Sequence, residues 1–325
     1  MVHWDTPRST MGTLLMTRLG LEHGVPVETC LRGSGLTETQ LSDPNAQINA
    51  AEELAVIANL IRDLADPPGL GIAAGTRFRL TSYGLWGFAL VSSPTLRSAI
   101  RVGFQFGELS FSLSETSTRE RDGHLQLILE PLGIPPRLRR FTIERDAAAI
   151  GTLHRDLLAV PTALTRVSFT FPPPPADTQA RYEEIFGMRP EFDATENILA
   201  FDGQIADAPL PQANEQTAAV ALQHCRELLD RRRARTGVAG QVRNILIEQM
   251  PSPPDAATIA RVLHLSERTL RHQLAREGTS YRALLDEIRE RLAEELLLTQ
   301  HLPVAEIAHR LGYAEVSSFS QAFRR

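Results

Sequence analysis

Between Asp255 and Arg325 the chain carries two short apolar patterns of one kind, separated by a long amphipathic stretch, and no other feature restricts its fold as much. In the first, Ile259, Leu263, Leu270 and Leu274 supply the apolar positions that two short crossing helices bury. Ala260 is small where the helices approach, and Ser266 stands where an N-cap should open the second helix. In the second, Ile307, Leu311, Phe319 and Phe323 bury, Ala308 makes the close contact, and Gly312 frees the turn for positive φ. Each has the layout of a helix-turn-helix unit. Between them, Ser280 to Gln300 spaces Leu284, Leu285, Ile288, Leu292 and Leu296 as a helix does. About 21 helical residues span about 31 Å. A turn of DNA repeats about every 34–36 Å, so the connector is long enough to set two reading helices in successive major grooves.

In the first unit Arg268, Thr269, Arg271 and His272 fall away from the buried Leu270 and Leu274, where a major groove would lie, with Arg276 placed for a phosphate. In the second, Val316, Ser317, Ser320 and Gln321 take the corresponding places and Arg324 the phosphate. Charge balance gives no help. From Gly237 to Arg325 eleven arginines meet eleven acidic residues, so the net charge of −5 resides in the remainder of the chain. Distribution favours DNA, since Arg268, Arg271, His272 and Arg276 share one short helix. The competing reading is a small-molecule-binding protein whose C-terminal helical bundle is a protein-interaction module.

Three runs carry a family resemblance. They are Leu265-Ser266-x-x-Thr269-Leu270-x-x-x-Leu274, Ile307-Ala308-x-x-Leu311-Gly312-Tyr313, and Ser317-Ser318-Phe319-Ser320-x-Ala322-Phe323-Arg324-Arg325. Residues from about 238 to 325 resemble the DNA-binding domain of the AraC family of bacterial transcription regulators. The chain departs from that pattern at His264, where the turn often has Gly, and at Gln321, where many members carry Arg, which turns any base contact there toward adenine. It also stops before the family's Trp-x-Gly-x-Ser-Pro tail, from which a trimmed or partly disordered C-terminus is expected.

Further upstream, Tyr182-Glu183-Glu184-Ile185-Phe186-Gly187, Ile198-Leu199-Ala200-Phe201-Asp202 and Leu210-Pro211 resemble the N-terminal effector domain of the ornithine-utilisation and virulence regulators of that family. Gly84-Leu85-Trp86-Gly87 and Thr95-Leu96-Arg97-Ser98-Ala99-Ile100 fit the same pattern. This domain is often called "arabinose-binding", although it is not the sugar-binding barrel of the arabinose regulator. The resemblance implies a sensor and a dimerisation surface.

Periodicity in this half mixes helices and strands without βαβ regularity. Helices are expected over Met11–Leu21, Ala51–Leu64, 140–158 and Asp177–Phe186, and strands over Leu109–Thr118, His124–Glu130 and Leu164–Phe171. A short hairpin is expected from 191–193 and Asn197–Phe201. The fold class expected is an α+β N-terminal effector domain, helices with a small mostly antiparallel sheet, plus an all-α C-terminal domain with two helix-turn-helix units. The expected domains are 1–211 for effector binding and dimerisation, 212–237 for a linker helix and hinge, and 238–325 for DNA. The basic run Arg231–Arg235 reads as a helix C-terminus favoured by the dipole, or as a phosphate contact.

Tyr83, Trp86, Phe88, Phe104, Phe106 and Phe111 gather within about thirty residues of a chain that is 6% aromatic. They read either as domain core or as the lining of a pocket for an apolar or aromatic effector, with Arg97 or Arg101 available for a carboxylate. His124 and His154 lack ligand-spaced neighbours and read as surface or helix-face residues. No cofactor or metal is expected, and no phosphate loop, nucleophile elbow or HExxH points to an enzyme. Cys30 and Cys225 are far apart, and no 18-residue apolar run or signal peptide is present, so a cytoplasmic protein without a membrane partner is expected. The expected partners are double-stranded promoter DNA, a small-molecule effector and a second copy in a homodimer, with RNA polymerase as a further candidate.

Overall fold

In the computed structural model, which describes residues 7–43, 46–158, 163–235, 237–299, 302–313 and 315–322, the chain divides between Leu229 and Asp230 into two units. The first runs β1 (Arg8–Ser9), α1 (Met11–Glu22), α2 (Val27–Leu31), α3 (Glu38–Ser42), β2 (Gln47–Ile48), α4 (Ala50–Asp63), α5 (Leu70–Gly75), α6 (Gly84–Val91) and α7 (Leu96–Gln105). It continues with β3 (Glu115–Arg121), β4 (His124–Glu130), α8 (Pro136–Leu158), β5 (Leu164–Ser168), α9 (Ala176–Phe186), β6 (Asn197–Asp202), α10 (Gly203–Asp207) and, as far as Leu229, α11 (Glu215–Arg235). β1 and β2 form a two-residue antiparallel pair, and the other strands form one antiparallel sheet in the order β3-β4-β6-β5. This is an α+β unit with a small sheet.

Local chemistry explains the boundaries. α4 opens on a capping box: Asn49 Oδ1 accepts from the Glu52 N–H at 2.9 Å and Glu52 Oε2 accepts from the Asn49 N–H at 2.7 Å. Leu54, Ile57 and Leu60 then bury against Leu15, Met16 and Leu19 of α1. α8 begins four residues before the expected 140, at Pro136, because proline's missing N–H costs nothing in the first turn. Gly71 and Gly75 let α5 lie backbone to backbone on α8. A Cβ on either would come within 2.5 Å of the Phe141 carbonyl or 2.3 Å of the Arg145 carbonyl.

Two expected strands are corrected. The run from Leu109 is not extended from its start, since Gly107–Leu109 is a 3-10 turn and β3 begins only at Glu115. The segment between is held by Asp146 instead of by a neighbouring strand. Its Oδ2 accepts from the N–H groups of Leu113 and Ser114 at 2.9 and 2.7 Å and from the hydroxyls of Ser112 and Ser114 at 3.0 and 2.7 Å. The expected hairpin from 191 to Phe201 does not form either. Glu191 makes a parallel bridge to Ser168, its N–H donating to the Val167 carbonyl at 2.9 Å, while β6 runs between β4 and β5.

α11 starts where the linker was expected, yet Ala221, Cys225 and Leu229 are buried in the first unit's core. The second unit holds α12 (Gly237–Glu248), α13 (Ala256–Val262), α14 (Glu267–Arg276), α15 (Tyr281–Thr299), α16 (Val304–Arg310) and α17 (Val316–Ala322). It has two small cores. Val242, Leu246, Ile259, Leu270, Leu274, Leu284 and Ile288 form one, and Ala293, Ile307, Ala308, Leu311 and Phe319 the other. α15 feeds both. Phe323, expected in the second core, lies outside the described residues. No helix among the described residues is long and apolar enough to cross a membrane.

Candidate nucleic-acid interface and ligand cavity

Both helix pairs of the second unit are built on one plan. Asp255 caps α13, accepting from the Thr258 N–H at 2.8 Å, and the Thr258 hydroxyl, with that N–H second, holds its carboxyl below the usual range. The helix ends on a left-handed residue, His264 at φ +55°, and the Leu265 N–H returns to the Ala260 carbonyl at 2.8 Å. Histidine tolerates this conformation better than a β-branched residue would, so the place where glycine is common is filled without rearranging the turn. In the second pair Gly312 takes φ +71° and the Tyr313 N–H returns to the Ala308 carbonyl at 3.0 Å.

Ser266 caps α14 as expected, accepting from the Thr269 N–H at 3.1 Å. With Leu270 and Leu274 buried beneath, Arg268, Thr269, Arg271, His272 and Arg276 are all exposed. The Thr269 hydroxyl lies 2.7 Å from Ser266 Oγ and is engaged with the cap. Arg271 makes a 3.3 Å pair with Glu267 one turn back, a contact that water weakens to little. On α17, Val316 and Ser317 are exposed and Ser320 is half-buried; the Ser317 hydroxyl donates to Glu315 at 3.0 Å. The side chain of Gln321 and the whole of Arg324 lie outside the described residues.

The first unit holds a half-open cavity of about 420 Å³. One wall is aromatic: Tyr83 lies 4.8 Å from Trp86 and 4.8 Å from Phe111, and Phe78 lies 5.6 Å from Phe111. α7 contributes Leu96, Ile100 and Phe104, and the sheet contributes Leu127 and Phe201. Of the residues expected from sequence, Tyr83, Trp86, Phe104 and Phe111 line the cavity. Phe106 is buried in the core, at 2% exposure, outside the lining; Phe88 is 54% exposed and Arg101 is exposed on α7. Arg97 is not in the lining either, being bound to Asp207 and Glu120.

Sequence reading missed the contribution of α8. Arg145, Asp146, Ala149, Ile150, Leu153, His154 and Leu157 all face the cavity. Their spacing is one helical stripe, and that periodicity was the available signal. His154 is therefore no surface residue. It is 2% exposed, packed edge-on to Phe201 at 5.3 Å, and burial lowers its pKa to about 4. At the other end of the stripe the buried Arg145 pairs with Glu53 and Asp146, each at 2.9 Å, and Glu53 also accepts from Arg8 at 2.9 Å. Two cations and two carboxylates thus neutralise one another. The Cys30 and Cys225 thiols are both buried and pushed up by burial, the reverse of what activates a nucleophile.

Residues 24–210 match the arabinose-binding domain of AraC transcription regulators, and residues 259–325 match a helix-turn-helix domain. Uncharacterized HTH-type transcriptional regulators of Mycobacterium tuberculosis and Mycobacterium bovis are each 33% identical to the chain, covering 96% of it and 92% of their own length. The ornithine utilization regulator of Pseudomonas aeruginosa is 30% identical, covering 94% of this chain and 89% of its own. Among solved structures, the transcriptional regulator CdpR from Pseudomonas aeruginosa superposes with a TM-score of 0.50 at 26% identity, over 97% of this chain and 94% of that one.

Proposed function

The chain belongs to the AraC family of helix-turn-helix transcription regulators that carry an N-terminal arabinose-binding domain, and from that premise we propose that a small molecule held in the cavity of the first unit controls its occupancy of promoter DNA. The observation that carries the DNA half is the exposed stripe Arg268, Arg271, His272 and Arg276, opposite the buried Leu270 and Leu274 and set on a capped, packed helix. In this reading Arg268, Thr269, Arg271 and His272 face base edges in one major groove, and Val316, Ser317, Ser320 and Gln321 face those in the next, with Arg276 and Arg324 on phosphates. α15, at 19 residues, spans about 28 Å, which suits two grooves about one turn apart. A homodimer in the cytoplasm, contact with RNA polymerase and transmission through Gly237 belong to the same proposal, as do the domain limits 1–211, 212–237 and 238–325. No catalytic role is included.

The test is capture of sheared genomic DNA by the full chain at near-physiological salt, beside the Arg268→Ala/Arg271→Ala double variant. Enrichment of a few promoters with paired boxes about one turn apart, lost in the variant, is the expected result. A folded protein that enriches nothing would overturn it in favour of a protein-interaction module.

A further inference from the structure

Resting on the homodimer reading, we propose that the outer edge of β3 is where two copies of this chain join: β3 pairs antiparallel with the β3 of a second copy about a two-fold axis at Thr118, so that two sheets become one. β3 is an edge strand, bonded along its length to β4. Among the described residues, no backbone group outside β4 bonds to it. The sheet's other edge is partly closed, because Glu191 bridges to Ser168 on the outer side of β5. Ser117, Thr118, Glu120 and Arg121 are exposed.

The turn between β3 and β4 decides which backbone groups point outward. Asp122 and Gly123 form a two-residue loop with φ +51° and +77°, as a type I′ turn requires. Such a turn closes on a hydrogen-bonded pair, here Arg121 opposite His124, and bonded pairs alternate from there along the ladder. β6 gives the same phase: the Gly203 N–H donates to the Gly123 carbonyl at 3.0 Å, which leaves the next residue, His124, directed at β3. Arg121, Arg119, Ser117 and Glu115 therefore turn their N–H and C=O groups toward β4. Glu120, Thr118 and Thr116 turn theirs outward, where a further strand can bond to them.

Charge and Asp146 together set the register. With the axis at Thr118, all seven residues of β3 overlap. Thr118 meets the partner's Thr118, Thr116 meets the partner's Glu120, and Glu115 meets the partner's Arg121 at both ends of the ladder. Opposite charges across a strand pair stabilise it and like charges repel. An axis at Arg119 would set two arginines against each other. An axis at Ser117 would pair the partner's Glu120 with Ser114, whose N–H already donates to Asp146 Oδ2 at 2.7 Å. Arg119 is drawn back over its own sheet by Gln126 and Glu196, at 2.9 Å each. Arg121, 66% exposed, makes a 3.4 Å contact with the 86% exposed Asp122, too loose to keep it from a partner. Charges on an edge strand commonly block pairing. On β3 their order makes the strand complementary to its own two-fold copy.

The test is sedimentation equilibrium of the full chain without DNA, beside its Glu115→Arg and Arg121→Glu variants, each alone and then mixed in equal amounts. Either reversal alone sets like charges across both ends and should weaken the dimer about tenfold. Mixed, the two variants are expected to associate about as tightly as the natural chain, because each introduced charge then meets its opposite. That recovery would also show that neither variant is misfolded. A natural chain that stays monomeric would overturn the interface and the homodimer reading together. A dimer indifferent to both reversals, or a loss that mixing does not restore, would overturn the interface and leave the homodimer standing on another surface. Register has its own readout, since Cys30 and Cys225 are buried. A short thiol-bridging reagent, dibromobimane, should join Thr118→Cys chains into covalent dimers and leave Arg121→Cys chains unjoined; the reverse would overturn the axis at Thr118.

Discussion

Arg289 lies over Tyr313, its guanidinium 4.4 Å from the ring centroid, while its Nε and Nη2 groups donate to the carbonyls of Leu311 and Gly312 at 3.0 and 3.1 Å. Those carbonyls form the turn of the second helix pair, so one side chain of α15 holds the turn that aims α17. Tyr313 passes the constraint on, meeting Phe319 edge-to-face at 5.6 Å. From the other side, a Cβ on Gly312 would come within 2.4 Å of the Pro251 carbonyl, so the turn also abuts the segment between α12 and α13. The two helix pairs are thereby held in one arrangement, which the proposed reading of two boxes at a fixed spacing requires.

Replacing Arg289 with Ala removes two charge-assisted hydrogen bonds and a cation–π contact, a loss of about 2 kcal/mol. Its effect should be selective. Affinity for a duplex with both boxes is expected to fall, while affinity for a duplex carrying only the box read by α14 changes little. Fluorescence anisotropy with the two duplexes distinguishes this from equal losses, which would make Arg289 a support for the whole unit.

Arg271 stands 80% exposed on α14 and makes a surface pair with Glu267. If it reads a guanine through both nitrogens, Arg271→Ala costs about 1–3 kcal/mol at the cognate box and little elsewhere. A loss of the same size on every sequence, with a shallower salt dependence, would instead assign it to a phosphate.

The second unit was legible because its logic is local. Ser266, Gly312, Leu270 and Leu274 are each placed by caps, turns and a 3.6-residue period that a linear sequence displays. The cavity was half legible. Tyr83, Trp86, Phe104 and Phe111 cluster along the chain, with Phe78 five residues before Tyr83, but Phe201 and His154 join them only through tertiary packing of the sheet and α8. Composition could not separate Phe106, which fills the core, from Phe104, which lines the cavity two residues earlier. The strand expected from Leu109 failed for a non-local reason as well: Asp146, more than thirty residues on, claims the backbone N–H groups of Leu113 and Ser114.

His154 gives the first unit a pH dependence of known sign. Its pKa is about 4 folded and about 6.5 in an unfolded chain. Between those values the unfolded state binds more protons, so stability rises with pH across that window and is lost as pH falls through it. The full loss, reached below about pH 4, is about 3 kcal/mol at 1.36 per unit. Urea midpoints from pH 7.5 to 5 are expected to fall more steeply in the natural chain than in His154→Leu. Parallel slopes would mean that His154 is protonated in the fold or already exposed.

The Arg145 cluster yields the sharpest stability test, because its partners do not depend on it equally. Arg145→Met strips Glu53 Oε1 of its cation, yet Glu53 keeps Arg8 at 2.9 Å and Asp146 keeps the donors of Ser112, Leu113 and Ser114. The loss is therefore expected at the lower end of the range for breaking a buried pair, about 3 kcal/mol. Adding Glu53→Gln removes the orphaned charge but also the partner of Arg8, so the double variant should recover only part of it. Both tryptophans, Trp4 and Trp86, precede Leu229, so tryptophan emission during urea unfolding follows the first unit without interference from the second. A double variant less stable than Arg145→Met would show that Glu53 is held chiefly by Arg8, and that Arg145 serves Asp146 and the loop bound to it.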